Sequence, residues 1–235
     1  CADLNANGGS QQIDSVCIVD DGKDVVLNLN DSPYQLASKL AKKIKTQYEK
    51  ISILLTGYAG AGPYPQCFEN LDKVSMENES KIKKKYFLNQ ALNFIKLFNP
   101  DHYMPFAGTY LLGGDLANLN SYRGVPLLAD AYEFLEKNIH QEKLKNKSMN
   151  LYYDNIFDLD KKKVLNQSNQ HELLDYKKYI SNILSKKKMD YQDAFETSSE
   201  EIIDLLDKAK NKYFERIENF KVRFNTKLIV QIDQE

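Results

Sequence analysis

The 235-residue chain is 42% hydrophobic and holds fifteen tyrosines and eleven phenylalanines, enough apolar volume for one large domain or one domain with an appendage. Its 32 basic and 33 acidic side chains leave a net charge of −1, which weighs against nucleic acid as a partner, and no apolar run is long enough to be a membrane span. The three cysteines, Cys1, Cys17 and Cys67, are odd in number and lack metal-ligand spacing, so a reducing cytoplasm fits better than a disulfide framework.

The chain opens on Cys1 in a polar stretch, CADLNANGGSQQ, that would suit a lipoprotein tether. Strand-like sequence follows almost at once and favours a numbering that starts inside a longer protein. Residues 16–19 and 25–29 are β-branched or apolar runs joined by Asp20-Asp21-Gly22-Lys23, the pattern of a hairpin. A helix follows over 32–50: Ser32 can cap it, Pro33 suits its first position, and Leu36, Leu40 and Ile44 repeat every four residues. Residues 51–55 read as a strand buried on both faces. A second helix spans 81–98, with Phe87, Ala91, Leu92, Ile95 and Phe98 on one face, and Pro100 ends it before a short strand at 103–106.

Strands separated by helices imply parallel neighbours and an α/β fold. Ligands bind at the carboxyl ends of such strands, which here carry NLNDSP, LTGYAGAGPYP and MPFAGTYLLGG. Composition shifts to Lys, Asn, Gln and Asp after Lys137. Three parts are therefore expected: 1–135 as the α/β body, 136–192 as a variable insertion or peripheral subdomain, and 193–235 as a helix and strand. Within the insertion, SMNLYYDNIFDLD is strand-like and 173–184 helical. Ser198 and Glu201 form a capping box for a helix to about residue 220, and TKLIVQID closes the chain as a strand.

Candidate chemistry concentrates at the strand ends. Asp31 can hold a metal or orient a substrate at a strand tip; it can equally share the cap with Ser32, and the residues alone favour the cap. The 56–68 loop, with three glycines, Pro63 and Pro65, is about three times longer than a strand-to-helix turn requires. It reads as a pocket wall in which Tyr58, Gly60, Tyr64 and Cys67 shape a small-molecule site. No Gly-Lys-Ser/Thr follows, so it is not a phosphate loop of the Walker type. Gly108 lies in the next such loop. Arg123 suits an anionic substrate group or a surface acid equally. His102, His140 and His171 share no metal spacing and read as surface or capping residues. The lysine triplets at 83–85, 161–163 and 186–188 read as solvated faces.

Taken in order, DSVCIVDDGKDVVLNLNDSP, LLTGYAGAGPYPQCF and MPFAGTYLLGG resemble the second half of a metallo-β-lactamase fold domain, nearest the CMP-N-acetylneuraminate hydroxylase-like branch. The resemblance covers roughly residues 7–125 and, more weakly, 193–233. It implies half of a four-layer αββα sandwich with its ligand site at a sheet edge. The His-x-His-x-Asp-His motif of the family's first half is absent here, so an upstream segment or a separate chain would supply that half. By resemblance, Asp31 falls where the family places a metal-bridging aspartate for zinc or iron, whereas the family's last histidine ligand falls on Ala107, which cannot bind a metal. The resemblance implies a metal-dependent hydrolase, or an oxygenase-associated domain, acting on a small, sugar-derived substrate. The alternative is a non-catalytic scaffold whose metal site has decayed.

Overall fold

Two aspartates fold the first hairpin. Asp20 Oδ1 accepts the Gly22 N–H at 2.8 Å, Asp21 Oδ1 accepts those of Lys23 and Asp24 at 2.9 and 2.8 Å, and Gly22 takes φ +88°. This lays β1 (Cys17–Asp20) antiparallel on β2 (Val25–Asn28). The structure, a computed structural model, describes residues 15–30, 32–106, 108–151, 155–165, 175–193 and 198–220.

From β2 the chain repeats one step. Helix α1 (Tyr34–Gln47) leads to β3 (Ile53–Gly57), α2 (Lys73–Phe98) to β4 (His102–Phe106), and a 3₁₀ helix (Gly114–Tyr122) with α3 (Leu128–Gln141) to β5 (Lys147–Ser148). The strands lie in the order β1-β2-β3-β4-β5, and β2 to β5 are mutually parallel. The sheet is therefore mixed and the fold α/β. Crossovers that all step the same way across a sheet, with the usual right hand, put their helices on one face. Accordingly α1 packs beside α2, and α2 beside α3.

Strand periodicity sorts the two faces. Leu27, Leu54 and Tyr103, aligned across β2, β3 and β4, are fully buried in the helix-side core with Phe94, Ile95 and Leu135. The alternate positions point to the other face: Ile53 and His102 are buried there, Val26, Leu55, Met104 and Phe106 are half-buried, and Val19 on β1 is exposed. At the amino edge of the sheet, the hairpin of β6 (Ile156–Asp158) and β7 (Lys163–Leu165) is tied on by Lys162, which pairs with buried Asp24 at 2.6 Å, and by Phe157 edge-on to His102.

Several details depart from the sequence reading. Ser32 does not cap α1: Pro33 occupies the cap position and the Ser32 hydroxyl donates to the Ser15 carbonyl at 3.5 Å. Helix α2 starts eight residues before the expected 81, because Asp72 Oδ1 accepts the Ser75 N–H at 2.7 Å. Asn99, in left-handed conformation at φ 46°, ends it ahead of Pro100. The 3₁₀ helix and α3 were not anticipated, although Ala131, Leu135 and Ile139 repeat at helical spacing. His102 is buried within β4 rather than at the surface. His171 and the TKLIVQID segment lie outside the described residues.

The chain divides into two units. The elements from β1 to α4 (Tyr176–Asn182) belong to one, and α5 (Ser199–Phe220) to the other. The Ser198–Glu201 capping box is present: Ser198 Oγ accepts the Glu201 N–H at 3.2 Å and Glu201 Oε2 accepts the Ser198 N–H at 3.1 Å. No helix among the described residues is long and apolar enough to cross a membrane.

His102 gives the fold a pH signature. Burial pulls its imidazole below the ordinary value of 6.5, Lys147 and Lys162 push the same way, Asp101 opposes, and Nδ1 has no partner. The folded state thus resists a proton that the unfolded chain accepts. Its stabilising contribution is complete above pH 6.5 and is lost as pH falls toward the depressed folded value. The Lys162 and Ser52 bonds hold Asp24 below 3.8, so its contribution is lost only in stronger acid. Urea unfolding from about pH 7.5 down to about 5.5 should show wild type losing more stability than His102→Gln. Parallel pH profiles would remove His102 as the cause.

Candidate functional site

Because β2, β3 and β4 run parallel, the chain leaves Asn28, Gly57 and Phe106 at one edge of the sheet. The two loops after β3 and β4 meet there. Tyr58, 3% exposed, packs against Gly108 so closely that a Cβ built on Gly108 would lie 1.8 Å from the phenol oxygen. Burial pushes the Tyr58 pKa up, and the Thr109 backbone N–H opposes it.

The loop after β3 is held from α2. Lys83 Nζ donates to the Gly62 and Tyr64 carbonyls, both at 2.8 Å, and lies over the Tyr64 and Phe87 rings. Gly60 lets the backbone pass Phe87: a Cβ there would fall 2.6 Å from its Cζ. The Tyr110 hydroxyl reaches the Gly62 carbonyl at 3.2 Å and joins the two loops. Tyr64 stacks edge-on against Phe68, and Pro65 and Gln66 are buried beneath. Asn120 organises the second loop, accepting the Leu112 N–H at 3.0 Å and donating to the Leu112 and Ala117 carbonyls at 2.8 Å. Tyr191 closes over it, donating to the Gly113 carbonyl at 2.9 Å.

Arg123, 6% exposed, lies at this edge. Its Nε donates to the Val125 carbonyl at 3.1 Å, and it makes no ion pair among the described residues. Burial pulls the guanidinium pKa down, while Asp130, Tyr176, Tyr110 and Tyr58 act to hold it charged. Burial likewise lowers Lys84, with the Arg123 charge adding to the effect and Asp130 opposing it. Three buried oxygens lack partners along the strand ends and loops: Thr56 Oγ1, Gln66 Oε1 and Thr109 Oγ1. Polar atoms left open at a loop edge suit a polar ligand.

No family model, curated protein or solved structure matches this chain.

Of the residues singled out in the sequence, Tyr58 touches Gly108, and the Tyr58 and Tyr110 phenols act electrostatically on Arg123. Gly60 and Tyr64 stand on the same loop but face Phe87 and Lys83. Cys67 is exposed. Asp31 and Ala107 lie outside the described residues. Among the described residues no three His, Cys, Asp or Glu side chains gather as metal ligands. Lys83 and Lys84 are half-buried rather than a solvated face. The signal for them was available: they lie three and four residues before Phe87, on the buried stripe of α2.

The close approach of Gly108 to Tyr58 has a measurable cost. Gly108→Ala should destabilise by about 2–3 kcal/mol, because Tyr58 is locked in the core and cannot yield. Gly60→Ala should cost less, since half-buried Phe87 can swing aside. Urea unfolding of both variants checks the order, and equal small losses would mean the Tyr58 contact is looser than described.

Proposed function

We propose that the chain is the substrate-binding half of a metallo-β-lactamase-like hydrolase, or of a related oxygenase, acting on a small sugar-derived substrate. A second sheet, from an upstream segment or another chain, packs on its helix-free face. One observation carries the reading. All three crossover helices cover the same face of the sheet; the other face carries no helix, has Phe157 packed on buried His102 at its amino end, and presents half-buried Val26, Leu55, Met104 and Phe106. In an αββα sandwich each sheet wears its helices outside and presses its inner face on the other sheet. The loops at the carboxyl edge then line the cleft, with Tyr58 and Arg123 orienting the substrate.

Zinc or iron, when bound in such a site, supplies an activated water. The described residues do not fit a metal by themselves, since no ligand cluster forms among them. Asp31, one step past the described end of the β2 loop, is the ligand this chain would offer. The competing reading, a non-catalytic scaffold, uses the same helix-free face for assembly. Zinc and iron analysis of the full-length protein separates the two: the hydrolase reading expects bound metal that Asp31→Ala largely loses. Equal metal in both proteins would remove Asp31 as a ligand, and metal in neither would leave the scaffold.

A further inference from the structure

We infer that Arg123 and Lys84 form a binding site for a dianionic oxyanion, a phosphoryl group, carried by the small molecule that enters the carboxyl-edge loops. The inference rests on the ligand-site part of the proposal above and needs no metal.

A guanidinium carries five donors in a planar fork and keeps its charge in almost any setting. Burying one without a carboxylate is costly, so buried arginines are normally paired. Arg123 is more than nine-tenths buried, yet its Nε–H to the Val125 carbonyl is its one side-chain hydrogen bond among the described residues. Its two terminal nitrogens, the pair that grips an oxyanion bidentately, are left open. A second cation shares this environment. Lys84 is half-buried on α2, makes no hydrogen bond or ion pair among the described residues, and feels the charge of Arg123. Asp130 reaches both electrostatically, but its Oδ2 accepts the Leu127 N–H at 3.0 Å and it pairs with neither.

Two neighbouring cations with no ion-pair partner among the described residues disfavour one another. A ligand bearing two negative charges relieves that repulsion, whereas a single carboxylate relieves half of it. The surroundings suit the same ligand. The Thr109 hydroxyl, buried and without a partner, is a free donor on the second loop, and the Tyr58 and Tyr110 phenols act electrostatically on the guanidinium. Nearby Lys83 is already spent on the Gly62 and Tyr64 carbonyls, so it shapes the loop and adds positive potential without being required as a ligand.

The test is a titration of the full chain, freed of metal with a chelator, using inorganic phosphate and, in parallel, acetate. Calorimetry gives affinity and the melting temperature gives an independent readout. Wild type should bind phosphate saturably, melt higher with it, and bind acetate more weakly. Arg123→Gln should lose about tenfold or more in affinity and Lys84→Gln about three- to tenfold. Lys39→Gln, on the exposed side of α1, should bind as wild type does. If Arg123→Gln fails to fold, the comparison of Lys84→Gln with Lys39→Gln decides the matter. The proposal is overturned if Lys84→Gln binds phosphate as tightly as wild type, if wild type shows no saturation below ~50 mM, or if acetate binds as well as phosphate. Asp31→Ala keeps the two readings apart. It should retain phosphate binding in metal-free protein whatever its metal content, and loss of phosphate there would also count against the site.

Discussion

The larger unit depends on one constraint, the direction in which its parallel strands are laid down. From β2 to β5 each new strand is added on the same side of the last. With crossovers of one hand, the helices between them cannot alternate faces. One reversal would have covered both faces and opened the crevice that doubly wound sheets use for ligands. Without a reversal there is no such crevice. A ligand site at the carboxyl edge must then be walled by the loops themselves, which gives the 56–68 and 107–127 segments a physical reason for their length.

Long loops carry an ordering cost, and here that cost is met locally. Glycines at 60 and 124 let backbone pass close to Phe87 and to the Tyr64 carbonyl, and the Lys83 ammonium fixes the Gly62 and Tyr64 carbonyls. Asn120 does the same for the second loop by standing in for backbone at Leu112 and Ala117. The Tyr58–Gly108 contact then joins the two loops through a side chain rooted in the core. The wall is held by packing on α2 and on the sheet rather than by regular structure of its own.

What was legible in the sequence followed from local rules. The Asp-Asp-Gly turn, the apolar runs of β2 and β3, the Asn99-Pro100 stop and the Ser198–Glu201 box each need only a few neighbouring residues, and each was readable. Ser32 looked like a cap by the same rules, but tertiary structure gave its hydroxyl to Ser15. His102 and Lys162 were misread for the same reason. His102 meets Phe157 of the distant hairpin and Lys162 of that hairpin meets Asp24, 138 residues back, so nothing nearby announces that one is buried and the other ion-paired. Helix α3 carries clear periodicity in Ala131, Leu135 and Ile139, yet the sequence reading assigned it no element.

The two edges of the sheet treat charge in opposite ways. At the amino edge Lys162 meets Asp24, Lys23 meets Asp160, and Lys50 meets Asp101 at 2.7 Å. Exposed pairs of this kind contribute little, and the half-buried one fixes the hairpin's position more than it stabilises the fold. At the carboxyl edge Arg123 and Lys84 are drawn out of water with no ion pair among the described residues, Asp130 acting on them only at a distance. The chain's overall balance of 32 bases and 33 acids conceals this local asymmetry. A total near zero constrains the long-range field of the molecule. It does not prevent cations from collecting where loops shield them from solvent, and the residues that a charge count passes over most easily are the ones placed at the rim of the loops.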